Sequence, residues 1–143
     1  MRLTLHTDYA LRALIYLSAT GEQATAGQIA DAFGISKNHL VKVLQTLRDL
    51  GYLETVRGRT GGVRLARDPA AITVGEVVRR AQDTVDHVEC FNPKTNTCPV
   101  TPVCRLKHRL NEALEAYLAV LDRCTIAEMA GNGAELRGLL GVR

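Results

Sequence analysis

The stretch Thr25-Ala-Gly-Gln-Ile-Ala-Asp-Ala-Phe-Gly-Ile-Ser-Lys-Asn-His-Leu-Val-Lys-Val-Leu-Gln-Thr-Leu-Arg-Asp-Leu-Gly51 decides the fold. It opens with Thr25-Ala-Gly-Gln28, a capping-box pattern whose threonine hydroxyl and glutamine amide satisfy exposed backbone amides, and so predicts a short helix to Phe33. Gly34 stops that helix. Ser36 caps the next one, in which Leu40, Val43, Leu44, Leu47 and Leu50 recur at helical period until Gly51 ends it. With Ala30 small enough for the helices to approach closely, the pair reads as a helix-turn-helix.

Working outward, Tyr52–Val56 and Val63–Ala66 read as two short extended segments joined by Arg57-Gly-Arg-Thr-Gly-Gly62. Glycines at that density permit a tight hairpin with two arginines at its tip. Upstream, Tyr9, Leu11, Leu14, Ile15 and Leu17 give a buried side to a helix from about Asp8 to Ser18. The expected fold is mainly α with a small β-hairpin: a winged helix-turn-helix over residues 1–69, closed by Asp68-Pro69, and a second part over 70–143.

Charge supports a role for the first part. The 143-residue chain has a net charge of only +3, yet residues 36–67 hold seven basic side chains (Lys37, Lys42, Arg48, Arg57, Arg59, Arg64 and Arg67) against Asp49 and Glu54, leaving the remainder net acidic. Positive charge confined to one module suits a phosphate-facing surface. In a helix-turn-helix the start of the second helix enters the major groove, making Lys37, Asn38, His39, Lys42 and Gln45 the candidate base readers of double-stranded DNA. Arg57 and Arg59 suit an adjacent narrow minor groove. Six aromatics and no Trp exclude an aromatic-lined sugar or single-strand site.

In the second part, Thr73-Val-Gly-Glu76 is another capping-box pattern, opening a helix to about Gln82. A loop from Asp83 to Thr101 follows. Thr101 and Pro102 then read as N-cap and first position of the longest helix. Along it Val103, Leu106, Leu110, Ala113, Tyr117, Val120 and Cys124 step by three and four, the pattern of a helix packed lengthwise on another. Leu114, Leu118 and Leu121 widen the stripe, so the helix is expected to touch both its own domain and a partner chain. Thr125-Ile-Ala-Glu128 repeats the capping signature, and the Gly-rich end from Gly131 is expected to fray.

Cys90, Cys98 and Cys104 lie in or beside that loop at spacing C-x7-C-x5-C. The apolar stretch Ala10–Ala19 is preceded by Asp8 and interrupted by Arg12, unlike a signal peptide, and no run is long enough to span a membrane; a cytoplasmic protein without membrane attachment is expected. In a reducing compartment clustered cysteines bind metal or sense redox state more often than they form structural disulfides. Zinc ligands usually come in closer pairs, whereas iron–sulfur clusters are held by thiolates and tolerate wider loops. Three thiolates leave one iron needing another ligand, and His108 is the nearest candidate in sequence. Cys124 reads as a small core residue. No C-x-x-C pair, substrate-binding Gly-rich loop or triad supports an enzyme, since Ser36, His39 and Asp31 are explained by capping and surface positions.

From Met-Arg-Leu-Thr-Leu-His-Thr-Asp-Tyr-Ala-Leu-Arg-Ala-Leu14 through Arg57-Gly-Arg-Thr-Gly-Gly-Val-Arg-Leu-Ala66 to the long helix, the chain resembles the winged-helix iron–sulfur repressors, the family of IscR- and NsrR-type regulators. Glu89-Cys90-Phe91, Cys98-Pro99 and the x7/x5 spacing look most like the NsrR branch, and Lys107 stands where IscR-type members carry a histidine. The resemblance implies a homodimeric repressor with an iron–sulfur cluster, 4Fe-4S with 2Fe-2S as the alternative, on Cys90, Cys98 and Cys104. It also implies Asp8 of the other subunit as fourth ligand, in competition with His108, and nitric oxide as effector. Sensing of cluster supply or redox state is the alternative within the family.

Overall fold

The computed structural model describes residues 3–83 and 85–142. Met1, Arg2, Thr84 and Arg143, which belong to the opening motif, the cysteine loop and the ends of the two expected parts, lie outside the described residues. Among the described residues, seven α-helices and one hairpin follow in the order α1 (Leu5–Thr20), α2 (Ala26–Phe33), α3 (Lys37–Asp49), β1 (Leu53–Val56), β2 (Gly62–Leu65), α4 (Val74–Ala81), α5 (Arg105–Asp122), α6 (Ile126–Met129) and α7 (Gly133–Leu139).

Helix α1 is the centre of the fold, packing against α3, α4, α6 and α7. It starts three residues earlier than Asp8 because the Thr4 hydroxyl accepts the Thr7 backbone N–H at 3.1 Å and caps it there. Ala10, Ala13, Leu14 and Leu17 are buried against Leu40, Val43, Val77 and Ile126 in one cluster. That cluster joins residues from both ends of the sequence, so α2 and α3 rest on a core that α4 and α6 help to build.

The hairpin is antiparallel, with Leu53 opposite Leu65 and Val56 opposite Gly62. Ala24 extends it by pairing with Val63 through backbone bonds of 2.9 and 2.8 Å. A Cβ on Gly62 would lie 2.4 Å from the Ala24 carbonyl oxygen, so this approach requires glycine. β1 starts one residue later than expected because the Tyr52 N–H is spent on the Leu47 carbonyl at 2.9 Å, and β2 starts one residue earlier, at Gly62 opposite Val56.

Three expectations for the second part are corrected. The long helix is not capped by Thr101, whose hydroxyl donates to the Cys98 carbonyl at 2.9 Å and pairs with Asn96; Thr101–Val103 is a separate 3-10 turn, and Cys104 takes the cap position. The helix also ends at Asp122, before Cys124, because the Cys124 carbonyl accepts the Val74 N–H at 2.8 Å and Thr125 pairs with Thr73. Cys124 is partly buried against the core, its thiol donating to Val120 O. The Gly-rich end does not fray: α7 packs on α1, and Arg137 donates to the Ala19 carbonyl at 2.7 Å. Among the described residues no helix is long and apolar enough to cross a membrane.

Candidate nucleic-acid interface and cysteine loop

The expected reading helix is in place, with Ser36 capping the His39 N–H and Gly34, at φ 62°, making the turn. Leu40, Val43, Leu44 and Leu47 face inward, leaving Lys37, Asn38, Lys42 and Gln45 exposed. His39 departs from its expected outward place. It is half-buried, its ring 5.0 Å from that of Tyr9 and 6.2 Å from that of His6, on the side packed against α1. Gln45 is held by Asp49 at 2.7 Å and by Arg48.

Structure divides the seven basic residues. Arg64 pairs with Glu54, Arg67 pairs with Glu76, and Arg48 donates to Thr55 at 3.3 Å, tying α3 to the wing. Lys37, Lys42, Arg57 and Arg59 are exposed and make no ion pair with the described residues. Charge left uncompensated on one face attracts phosphate, and paired charge does so less. Gly58, at φ 117°, turns the tip that carries both arginines.

Behind the wing lies a joint that sequence reading missed. Glu76 Oε1 accepts from Tyr52 at 2.9 Å, Arg67 at 2.8 Å and Arg80 at 3.3 Å, while both arginines lie over the Tyr52 ring. Its carboxylate is thereby drawn away from the Thr73 capping box, of which only the Thr73 half forms. The Arg67 hydrogen bond holds the Glu76 carboxyl below its usual range against the opposing effect of burial. The joint connects the base of the wing to α4, and α4 to α5 through the bidentate Arg79–Asp122 pair. Gly75 makes room for that contact, since a Cβ there would collide with Asp122.

The cysteine loop has its own internal bonds. Glu89 Oε1 accepts from the Thr97 N–H at 2.5 Å and the Thr97 hydroxyl at 2.6 Å, joining the residues that precede Cys90 and Cys98. Those two donors lower the Glu89 pKa. Asn96 accepts the Cys98 N–H at 3.0 Å. The Cys104 sulfur accepts the Lys107 N–H at 3.4 Å and so stands at the N-terminus of α5. All three thiols are free and half-buried.

Asp8 lies on α1 and is bound by Arg12 through two contacts, 2.9 and 3.2 Å; Arg12 in turn sits over the rings of Tyr9 and Phe33. His108 is exposed on α5. Among the described residues no group of three or more His, Cys, Asp or Glu side chains is arranged to hold a metal ion. Three free thiols on one hydrogen-bonded loop are donors of the right kind for an iron–sulfur cluster, but within one chain they do not form a finished ligand sphere.

The pattern describing the Rrf2 family, iron-dependent transcriptional regulators, matches residues 3–132. The chain is 52% identical over 145 residues to the HTH-type transcriptional regulator NsrR of Bacillus subtilis (strain 168), covering 100% of this chain and 99% of that protein. It is 49% identical over 142 residues to the NsrR regulator of Bacillus licheniformis, covering 98% and 99% of the two. Among solved structures, T. potens IscR superposes with a TM-score of 0.75 over 94% of this chain and 90% of that one, at 23% identity, a likeness of fold. Helix-turn-helix, wing, three-cysteine loop and near-complete match together place the chain in the Rrf2 family of transcriptional regulators.

Proposed function

We propose that the chain is a cytoplasmic, homodimeric repressor of the NsrR type. It binds a near-palindromic operator, holds an iron–sulfur cluster and responds to nitric oxide. In this reading residues 1–69 contact DNA through Lys37, Asn38, Lys42, Gln45, Arg57 and Arg59, while His39 packs on Tyr9 and sets α3 against α1. Residues 70–143 carry the cluster loop and pair the subunits. Genes that remove nitric oxide are the expected targets. The observation that carries the reading is the identity of about half of all positions, over the whole chain, with regulators named NsrR.

Three free thiols suit an iron–sulfur cluster on Cys90, Cys98 and Cys104, and the likeness to NsrR regulators supports the 4Fe-4S type with Asp8 from the second subunit. A cluster held by these residues would supply iron able to react with nitric oxide, more readily where a carboxylate replaces a thiolate. The chain's own residues connect that site to the DNA-facing elements. Ligation by Asp8 would compete with its two contacts to Arg12, and Arg12 lies on the Phe33 ring at the end of α2. Cys104 holds the first turn of α5, whose other end is clamped to α4 by Arg79 and Asp122. Through Glu76, α4 reaches the wing. A change in how the loop is held is therefore felt at both elements that meet DNA. Two subunits paired along α5 fix the spacing of their two α3 helices.

The test is anaerobic purification followed by stepwise addition of nitric oxide, with visible absorbance and operator binding recorded together. Binding is expected to fall in step with absorbance. Operator binding that survives loss of the cluster sinks the sensing mechanism, and an Asp8→Ala variant with unchanged spectrum and sensitivity removes Asp8 from the ligand set.

A further inference from the structure

One residue of α3 does not fit the chemistry around it. Val41 is 46% exposed on a helix whose other exposed positions are polar or charged. It lies one turn after Asn38 and one turn before Gln45, beside the side chains expected to meet bases. It also lines a groove of about 280 Å³ that runs from α3 to the wing, past Leu44, Arg48, Thr55, Val56 and Val63. Arg48 and Thr55 bond across this groove, so its two walls are held together.

Isolated exposed apolar residues are common and usually need no explanation. Place and surroundings set this one apart. The exposed apolar residues of α5 form a stripe fit for another helix, whereas Val41 stands alone among the uncompensated cations Lys37 and Lys42, on a face that suits a polyanion and not an apolar protein surface. A valine side chain neither donates nor accepts a hydrogen bond. Of the groups that the four bases present in the major groove, the only one that gains from contact with it is the thymine 5-methyl.

We propose that Val41 is a specificity-determining residue that reads one thymine methyl group in each half-site of the operator. The proposal rests on the DNA-binding reading above and adds an apolar contact to the polar set of Asn38, Lys42 and Gln45. The methyl group would be covered by Val41 at the mouth of the groove, while the unpaired Lys37, one turn earlier, takes phosphate.

The test uses the full chain, purified anaerobically, and an operator enriched by that chain from a random duplex pool. Each thymine of the operator is replaced in turn by uracil, which removes the methyl group and nothing else. One position per half-site is expected to weaken wild-type binding about fourfold, the transfer of one buried methyl from water. Val41→Ala is expected to bind the thymine operator more weakly and to show a smaller loss at that same uracil. Its affinity for random duplex should be unchanged, which separates lost reading from lost folding. A second arm places 5-methylcytosine, paired with guanine, at the same position; wild type is expected to regain part of the lost affinity relative to cytosine, and Val41→Ala is not. Equal uracil losses in the two proteins at every position, or none anywhere, overturn the assignment. A chain that enriches no operator overturns the DNA-binding reading and this assignment with it, whereas enrichment without methyl dependence overturns the assignment alone.

Discussion

The helix-turn-helix with its wing and the long helix α5 make opposite use of their apolar residues. In the first, Leu40, Val43, Leu44, Leu47, Tyr52, Leu53 and Val63 are buried, and the exposed remainder is polar or cationic apart from Val41 and partly covered neighbours. In α5 only Leu114 and Leu118 are buried, while Leu106 is 65% exposed, Val120 51% exposed, and Tyr117 also faces outward. One region has completed its packing and left charge outside. The other has left apolar area outside and its thiols half-buried, a surface of the kind that suits a partner.

The strongest way to break this contrast is a charge on the α5 face. Val120→Asp is expected to weaken self-association at least about a hundredfold, because pairing would bury an unpaired carboxylate. Helical circular dichroism should be unchanged, since the side chain is exposed. Sedimentation velocity checks it, and an unchanged mass would mean that this face serves some purpose other than pairing.

Next in size is Gly62→Ala in the wing. Its new methyl would meet the Ala24 carbonyl at 2.4 Å, and a loss of about 1–3 kcal/mol in urea unfolding is expected. The joint below it gives a smaller, pH-dependent effect. Glu76 is held below its ordinary value of 4.5, chiefly by Arg67, so its stabilising contribution is fully present above that value and is lost as pH falls through the lowered one. Acid titration of stability should accordingly be less steep in Glu76→Gln. The smallest change belongs to the other end of the chain, where a Cβ on Gly138 in α7 meets nothing within 4 Å. Gly138→Ala is expected to raise stability by about 0.5–1 kcal/mol, and thermal unfolding would show it.

What was legible in the sequence was local. Thr25 and Thr125 close full capping boxes with Gln28 and Glu128, because each partner lies three residues away. The same pattern at Thr73 forms only in part, since Glu76 has better partners in Tyr52 and Arg67, distant in sequence. Thr101-Pro102 is a sound local start signal, overridden because Asn96 and Cys98 engage the hydroxyl. Helix α7 was missed for a related reason. Its glycines argue against a helix, and what holds it is Arg137 reaching back to Ala19. For the site, residue types and the exposed cations could be read directly, but the packing of His39 on Tyr9 and the pairing of Asp8 with Arg12 depend on how α1 is set against α3 and on its own first turns.

Cys104 gives the long helix a mechanical character. No residue from Arg105 to Ala113 is buried, whereas Leu114 and Leu118 are, so the core's hold on α5 begins at Leu114. From Leu114 back to Cys104 the distance is about 15 Å at the helical rise per residue. Treated as a lever with its pivot at Leu114 and a sulfur atom at its N-terminal tip, the helix would carry that sulfur about 3 Å for a tilt of about ten degrees. Conversely, a small pull on one atom turns the entire rod on which the opposite protomer would rest.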